Sequence, residues 1–186
     1  MTNLRVQGRA GGFTSELLHW CSDNASAMVS PSVFCTGAWL ESAFLQEKQT
    51  YILTVLNTRD EIVAVLPLAL SRNRLGGTVG RFLGSRFNPD PLGLICKAEH
   101  LTAAAAAIRR YFKEEVSWDQ ILIDWVTREE CVAWEAGRVQ QSVAPYLPLN
   151  EGIDGLVGGF KRQKKIQPES RRKTADGRAQ RGICVV

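Results

Sequence analysis

The chain has 186 residues, 45% of them hydrophobic and 23% charged, which bounds it to one full-cored globular domain or a domain with a piece of another. No stretch approaches the roughly 18 uninterrupted apolar residues of a membrane span, and the opening MTNLRVQGRAGGF has no apolar signal-peptide core. The net charge of +4 is uneven: residues 161–186 carry nine Lys/Arg against Glu169 and Asp176, a net +7, which leaves −3 (14 basic, 17 acidic) on residues 1–160.

Thr14 or Ser15 caps a first predicted helix carrying Leu17, Leu18, Trp20 and Cys21. Residues 25–31 are small and polar and read as a loop, after which Trp39, Leu40, Ala43 and Phe44 make one helical stripe. The organising stretch follows. Residues 51–56 and 62–70 are β-branched and aliphatic, separated by the polar Asn57-Thr58-Arg59-Asp60-Glu61, a loop of hairpin length. A second polar turn over 71–77 leads to a strand over 78–83, so the three segments predict an antiparallel meander. Pro67 cannot donate to a ladder and is expected at a bulge or an edge.

Residues 86–91, with two prolines and Asn88 and Asp90, form a turn cluster. A short strand is expected over 92–96. Residues 101–115, with five successive alanines and the stripe Ile108, Tyr111, Phe112, are the best helix in the chain. Residues 119–126 read as a strand, and Thr127-Arg128-Glu129-Glu130 matches a capping box opening a helix to about Val139. A short edge strand is expected over 145–149. Ile153, Leu156, Val157 and Phe160 then mark an amphipathic helix, continued by the basic residues 161–165 and stopped or kinked at Pro168. An apolar piece over 183–186 closes the chain. This order predicts a mixed α/β fold with a largely antiparallel sheet flanked by helices.

Cys21, Cys35, Cys96, Cys131 and Cys184 are scattered without a CxxC pair, and the histidines are His19 and His100 alone, which argues against a zinc site. The odd count and wide spacing suit reduced thiols in a cytoplasmic protein. Gly80-x-x-x-Gly84-Ser85 is not followed by the Lys-Ser/Thr of a nucleotide loop and reads as a structural turn. Trp20, Phe34, Trp39, Trp118, Trp125 and Trp134 fall at helical and strand spacing and read as core. No triad, carboxylate pair or metal cluster stands out.

Several segments together carry a resemblance to a known family. Val33-Phe34 before Ala38-Trp39-Leu40, the strand Ile62-Val63-Ala64-Val65-Leu66-Pro67-Leu68, and the strand end Arg81-Phe82-Leu83-Gly84-Ser85 before Asp90 are three of them. Pro145-Tyr146-Leu147-Pro148-Leu149, followed by Phe160-Lys161-Arg162-Gln163-Lys164-Lys165, is the fourth. In this order and spacing, from about Phe13 to Lys165, the chain resembles the FemAB-type and CelD-like acyltransferases, built from two GNAT-like domains in tandem. Two features depart from that pattern: Pro168 interrupts the basic helix, and little chain follows it.

The resemblance implies a GNAT-like domain over 1–150, then over 151–186 a basic linking helix and a remnant of a second GNAT-like domain, partly disordered. The implied function is an acyl-CoA-dependent N-acyltransferase or N-acetyltransferase. Its donor is acetyl-CoA or another acyl donor, without a metal, and its acceptor a small-molecule or cell-envelope precursor amine that attacks the thioester directly. The Gly-rich turn that holds the donor is expected in the second domain, so this chain alone reads as incomplete. No general base is nominated.

Two sets of candidate site residues follow. Ser85, Asn88 and Asp90, on a loop leaving a strand end, are candidates for recognising the acceptor; plain turn chemistry is the simpler reading of Asn-Pro-Asp-Pro. Lys161, Arg162, Lys164 and Lys165 are candidates for the CoA phosphates or another anion, against a solvated helix face. The run lacks interleaved aromatics, which argues against nucleic acid. The alternative function is a non-catalytic binding module, or a degenerate remnant, with a basic tail for anionic ligands or nucleic acid.

Overall fold

In the computed structural model, residues 3–87, 92–135, 138–145 and 178–185 are described, with the side chains of 125, 138–145 and 178–185 left aside. Strand β1 (Arg5–Ala10) is followed by helices α1 (Ser15–Ala25) and α2 (Gly37–Phe44), then by strands β2 (Thr50–Leu56), β3 (Ile62–Arg72), β4 (Thr78–Phe82) and the two-residue β5 (Ile95–Cys96). Helix α3 (Leu101–Glu115), strand β6 (Gln120–Val126), helix α4 (Arg128–Ala133) and strands β7 (Arg138–Pro145) and β8 (Arg178–Val185) complete the order. The fold is therefore mixed α/β with a mostly antiparallel sheet and helices, as expected. By compactness the chain divides into Met1–Ser142 with Arg181–Val186, and Val143–Gln180.

The β2–β3 hairpin closes as its sequence dictates. Asn57 Oδ1 accepts from the backbone N–H of Arg59 at 2.8 Å and of Glu61 at 3.1 Å, and Asp60 takes the left-handed conformation with φ 61°. β4 adds antiparallel to β3, so the predicted meander is present. The sheet runs β1-β2-β3-β4-β6-β8-β7, with β5 on β3, and β4 pairs β6 in parallel through the α3 crossover. Pro67 sits at neither a bulge nor the sheet edge. It pairs with Ile52 inside the sheet, and its carbonyl accepts from Leu83 N at 2.9 Å. On that side β3 changes partner from β4, which pairs from Leu68 onward, to β5, which pairs at Ala64 and Val65. The missing N–H falls at the seam, where no ladder asks for it.

β1 was not foreseen. Val6 and Ala10 are the only apolar residues of Arg-Val-Gln-Gly-Arg-Ala apart from glycine, because an outer strand paired only with β2 does not need a buried face. α4 is shorter than expected. It ends at Ala133, with Trp134 as C-cap and Glu135 at φ 42°, so residues 138 and 139 begin a strand instead. Of the expected strand over 92–96 only Ile95–Cys96 pairs, and the residues 146–149 of the other edge strand lie outside the described residues, as do those of the amphipathic helix.

Local caps set the helices. Thr14 Oγ1 accepts from Leu17 N at 3.2 Å at the start of α1, and Leu17, Cys21 and Ala25 are its buried face. At α4 the predicted capping box is complete: Thr127 accepts from Glu130 N, and the Glu130 carboxylate accepts from Thr127 N at 2.9 Å. Thr127→Ala is expected to cost about 1–2 kcal/mol, because it removes one cap and loosens a carboxylate that is only 2% exposed. A urea-unfolding midpoint would read it, and an unchanged midpoint would show that the box does not hold α4.

The core is continuous, with Leu40 of α2, Leu53, Leu66 and Phe82 of the meander, Ile108 of α3, Ile123 of β6 and Trp134 fully buried. Trp134 is core as expected, and Phe34, Trp20, Trp39 and Trp118 pack half-buried against it. Cys21, Cys35 and Cys96 are free thiols whose burial pushes their pKa up to about 12, which leaves them unreactive. Cys131 departs from the expectation of reduced thiols, being disulfide-bonded. Among the described residues no helix is long and apolar enough to cross a membrane.

Candidate functional site

The parallel pair is where the sheet offers a site. The β4–β6 ladder pairs Val79 with Gln120, Gly80 with Ile121 and Arg81 with Leu122, and stops there. β6 runs on to Val126, pairing instead with β8. The parallel ladder therefore ends at Arg81, one residue before β4 itself ends, at the point where the sheet passes from its antiparallel meander to β6. Ligands of open α/β sheets characteristically bind outside the carboxyl ends of such strands.

Two charged side chains meet at this end of the ladder. Strand alternation places Asp124 on the same face as Leu122, hence beside Arg81, and Arg81 Nη1 lies 3.5 Å from Asp124 Oδ2. The Asp124 side chain is 5% exposed and that of Arg81 49%, so the carboxylate is sealed while the guanidinium reaches solvent. Burial raises the Asp124 pKa above its ordinary value, against the opposing pull of Arg81 and of a hydrogen bond from Ser85.

Ser85 is positioned by a fixed turn. Gly84 has φ 84°, and a Cβ there would stand 3.2 Å from the Trp39 indole nitrogen and 3.3 Å from the Ala43 methyl of α2. Phe87 N donates back to Gly84 O at 3.0 Å, and Arg86 is tied to Gln46 O at 2.6 Å and to Glu47 Oε1 at 3.1 Å. Of the candidates named from sequence, Ser85 is thus placed at the site, buried and turned onto Asp124. Asn88, Asp90, Lys161, Arg162, Lys164 and Lys165 lie outside the described residues. Sequence reasoning passed over Arg81 and Asp124. The available signal was a lone carboxylate within Ile121-Leu122-Ile123-Asp124-Trp125-Val126, a run otherwise apolar.

A recess of about 990 Å³ along β1 and α3, past Arg5, Arg9 and Arg110, is lined by none of these three residues. Its arginines are already engaged: Arg5 with Asp60, Arg9 with Gly12 O and Arg110 with Leu4 O. The end of the parallel ladder is the stronger candidate, because there a carboxylate only 5% exposed is paired with a half-exposed arginine.

The acyl-CoA implied by the resemblance does not fit the start of α3. A pyrophosphate there needs open backbone N–H groups and glycines beside them. The described glycines between β4 and α3 face protein instead: Gly84 meets Trp39, and a Cβ on Gly93 would collide with the Glu130 carboxylate. The turn Ala98–His100 that leads into α3 has no glycine and places Glu99 in its path. No group of three His, Cys, Asp or Glu among the described residues could hold a metal.

No family model matches the chain, and no curated protein matches it. Among solved structures it is similar to one described as a GCN5-related glucosamine N-acetyltransferase region in a fungal multi-domain GH3 β-N-acetylglucosaminidase. The TM-score is 0.43 and the identity 10%, over 90% of this chain and 17% of that one. The chain thus spans about a sixth of that protein's length.

Proposed function

We propose that this chain is the front domain of an N-acyltransferase of the FemAB/CelD-like tandem type, with a GNAT-like domain over 1–150 and a basic linking segment over 151–186. The observation that carries the reading is the buried Asp124 held by Arg81 at the carboxyl end of the parallel β4–β6 pair. The acceptor is an amine, of a small molecule or a cell-envelope precursor. An attacking amine must shed a proton as it becomes an amide, and Asp124, with its raised pKa, takes that proton. Arg81 orients Asp124 from the solvent side, and Ser85 fixes its carboxylate from within. As the resemblance implies, the donor's phosphates are held by Lys161, Arg162, Lys164 and Lys165.

The test is thermal unfolding of the full chain with acetyl-CoA. At about ten times Kd, mass action raises Tm by roughly 3–6 °C for a chain of this size. Replacing Lys161, Arg162, Lys164 and Lys165 together by alanine removes the shift. If millimolar acetyl-CoA leaves Tm unchanged, the chain is not an acetyltransferase by itself, and the non-catalytic binding module takes its place.

A further inference from the structure

β6 carries a second polar cluster at its opposite end, around Gln120 rather than Asp124. Arg109 of α3 is 16% exposed, and its two terminal nitrogens are treated unequally: Nη2 holds Glu135 Oε1 at 2.8 Å, while Nη1 is buried with no hydrogen-bond partner. A guanidinium presents a planar fork suited to both oxygens of one carboxylate. Here one oxygen meets one tine.

The partner is also poorly held. Glu135 is 75% exposed and stands at φ 42°, a conformation uncommon outside glycine. Beside the pair lies a recess of about 310 Å³ lined by Arg109, Lys113, Phe112, Trp118, Gln120 and Glu135. Lys113 follows Arg109 by four residues on α3, so both stand on one helix face, and it makes no ion pair among the described residues. Asp119 also lines the recess, with one carboxylate oxygen held by Thr78 N at 2.6 Å, so its charge opposes an anion and Arg109 and Lys113 must outweigh it. Phe112 and Trp118, with ring centroids 5.8 Å apart and planes inclined at 42°, supply an apolar aromatic corner.

We propose that this recess binds a small carboxylate with a flat apolar body, and that Glu135 is its internal stand-in, displaced when the ligand enters. Arg109 takes both oxygens of the incoming carboxylate, Lys113 adds the second positive charge, Gln120 offers its amide, and Phe112 and Trp118 meet the body of the ligand. A carboxylate is preferred to a phosphate because the stand-in is one, and because a planar group matches the guanidinium fork.

The experiment is isothermal titration of the full chain with benzoate at ionic strength matched with chloride, and with inorganic phosphate as a parallel arm. Benzoate is expected to bind. Glu135→Gln, which removes the competing negative charge, tightens binding roughly three- to fivefold, the worth of an exposed ion pair. Lys113→Ala weakens it by a similar factor, and Arg109→Gln abolishes it. Glu135 and Lys113 are exposed, so those two variants decide the matter if Arg109→Gln does not fold. Benzoate binding that Glu135→Gln leaves equal or weaker, or heat indistinguishable from that of chloride, overturns the proposal. Phosphate binding without benzoate binding overturns the assignment to carboxylates.

Discussion

Gly37→Ala is expected to destabilise the protein by about 3 kcal/mol, the upper end of what overpacking costs. Helix propensity alone points the other way, since alanine inside a helix is favoured over glycine by about 1 kcal/mol. Packing decides the sign. Gly37 opens α2 against α1, its N–H donates to Ser22 Oγ at 2.9 Å, and a Cβ there would collide with the backbone carbonyl of Leu18. That carbonyl belongs to a helix whose buried face is set by Leu17, Cys21 and Ala25, so it cannot withdraw as a side-chain tip could. Relief requires the two helices to separate, and Leu40 and Ala43, which α2 buries, would lose contact with them. Urea unfolding compared with Ser42→Ala on the exposed side of α2 would measure the effect. A loss below about 1 kcal/mol would mean that α1 and α2 do not approach at this point.

On the proposed acyl-transfer function, Asp124→Asn is expected to lower the rate by about 10²- to 10⁴-fold, the usual worth of a positioned proton acceptor, while leaving the protein at least as stable at neutral pH. The two halves of this expectation have one cause. Burial is the largest influence on Asp124 and disfavours its charged form, with Arg81 and Ser85 compensating only in part. Its folded pKa is therefore raised above the ordinary value of 3.8. The folded state binds the proton more tightly than the unfolded chain does. This group's contribution to stability is thus full below the unfolded value, and is lost as pH rises from 3.8 through the raised folded value. The asparagine amide has no charge to desolvate and keeps the shape, so that pH dependence disappears in the variant. Unfolding midpoints of both proteins across this window, beside the rate of amide formation, provide the check. A variant that loses stability and activity together would make Asp124 a structural anchor of Arg81 instead of a catalytic group.

What was legible beforehand was what the chain decides locally. The hairpin at Asn57 follows from a side chain that caps its own turn, and the box at Thr127 from two residues three apart. The α3 alanine run and the apolar alternation of β2 and β3 likewise need no distant partner to be recognised. β1 escaped because its pairing with β2 spans about forty-five residues and leaves little apolar pattern behind. The end of α4 escaped because it turns on Glu135 adopting a backbone conformation that its side chain does not favour.

The candidate site divides in the same way. Ser85 was marked by its place at a strand end, but its role as donor to Asp124 comes from a neighbour thirty-nine residues away. Arg81 and Asp124 looked like an ordinary strand residue and an odd one, and Pro67 like a breaker. By itself the sequence determined the meander, the helices α1 to α3, the caps at Thr14 and Thr127 and the mixed α/β class, because those follow from propensity, periodicity and side-chain hydrogen bonds within a few residues. Only the tertiary structure decided that β4 lies parallel to β6, that β3 changes partner at Pro67, and that a carboxylate is sealed beside an arginine where the ladder stops. Each of these depends on which distant backbone groups pair, a choice made by the packing of the whole sheet.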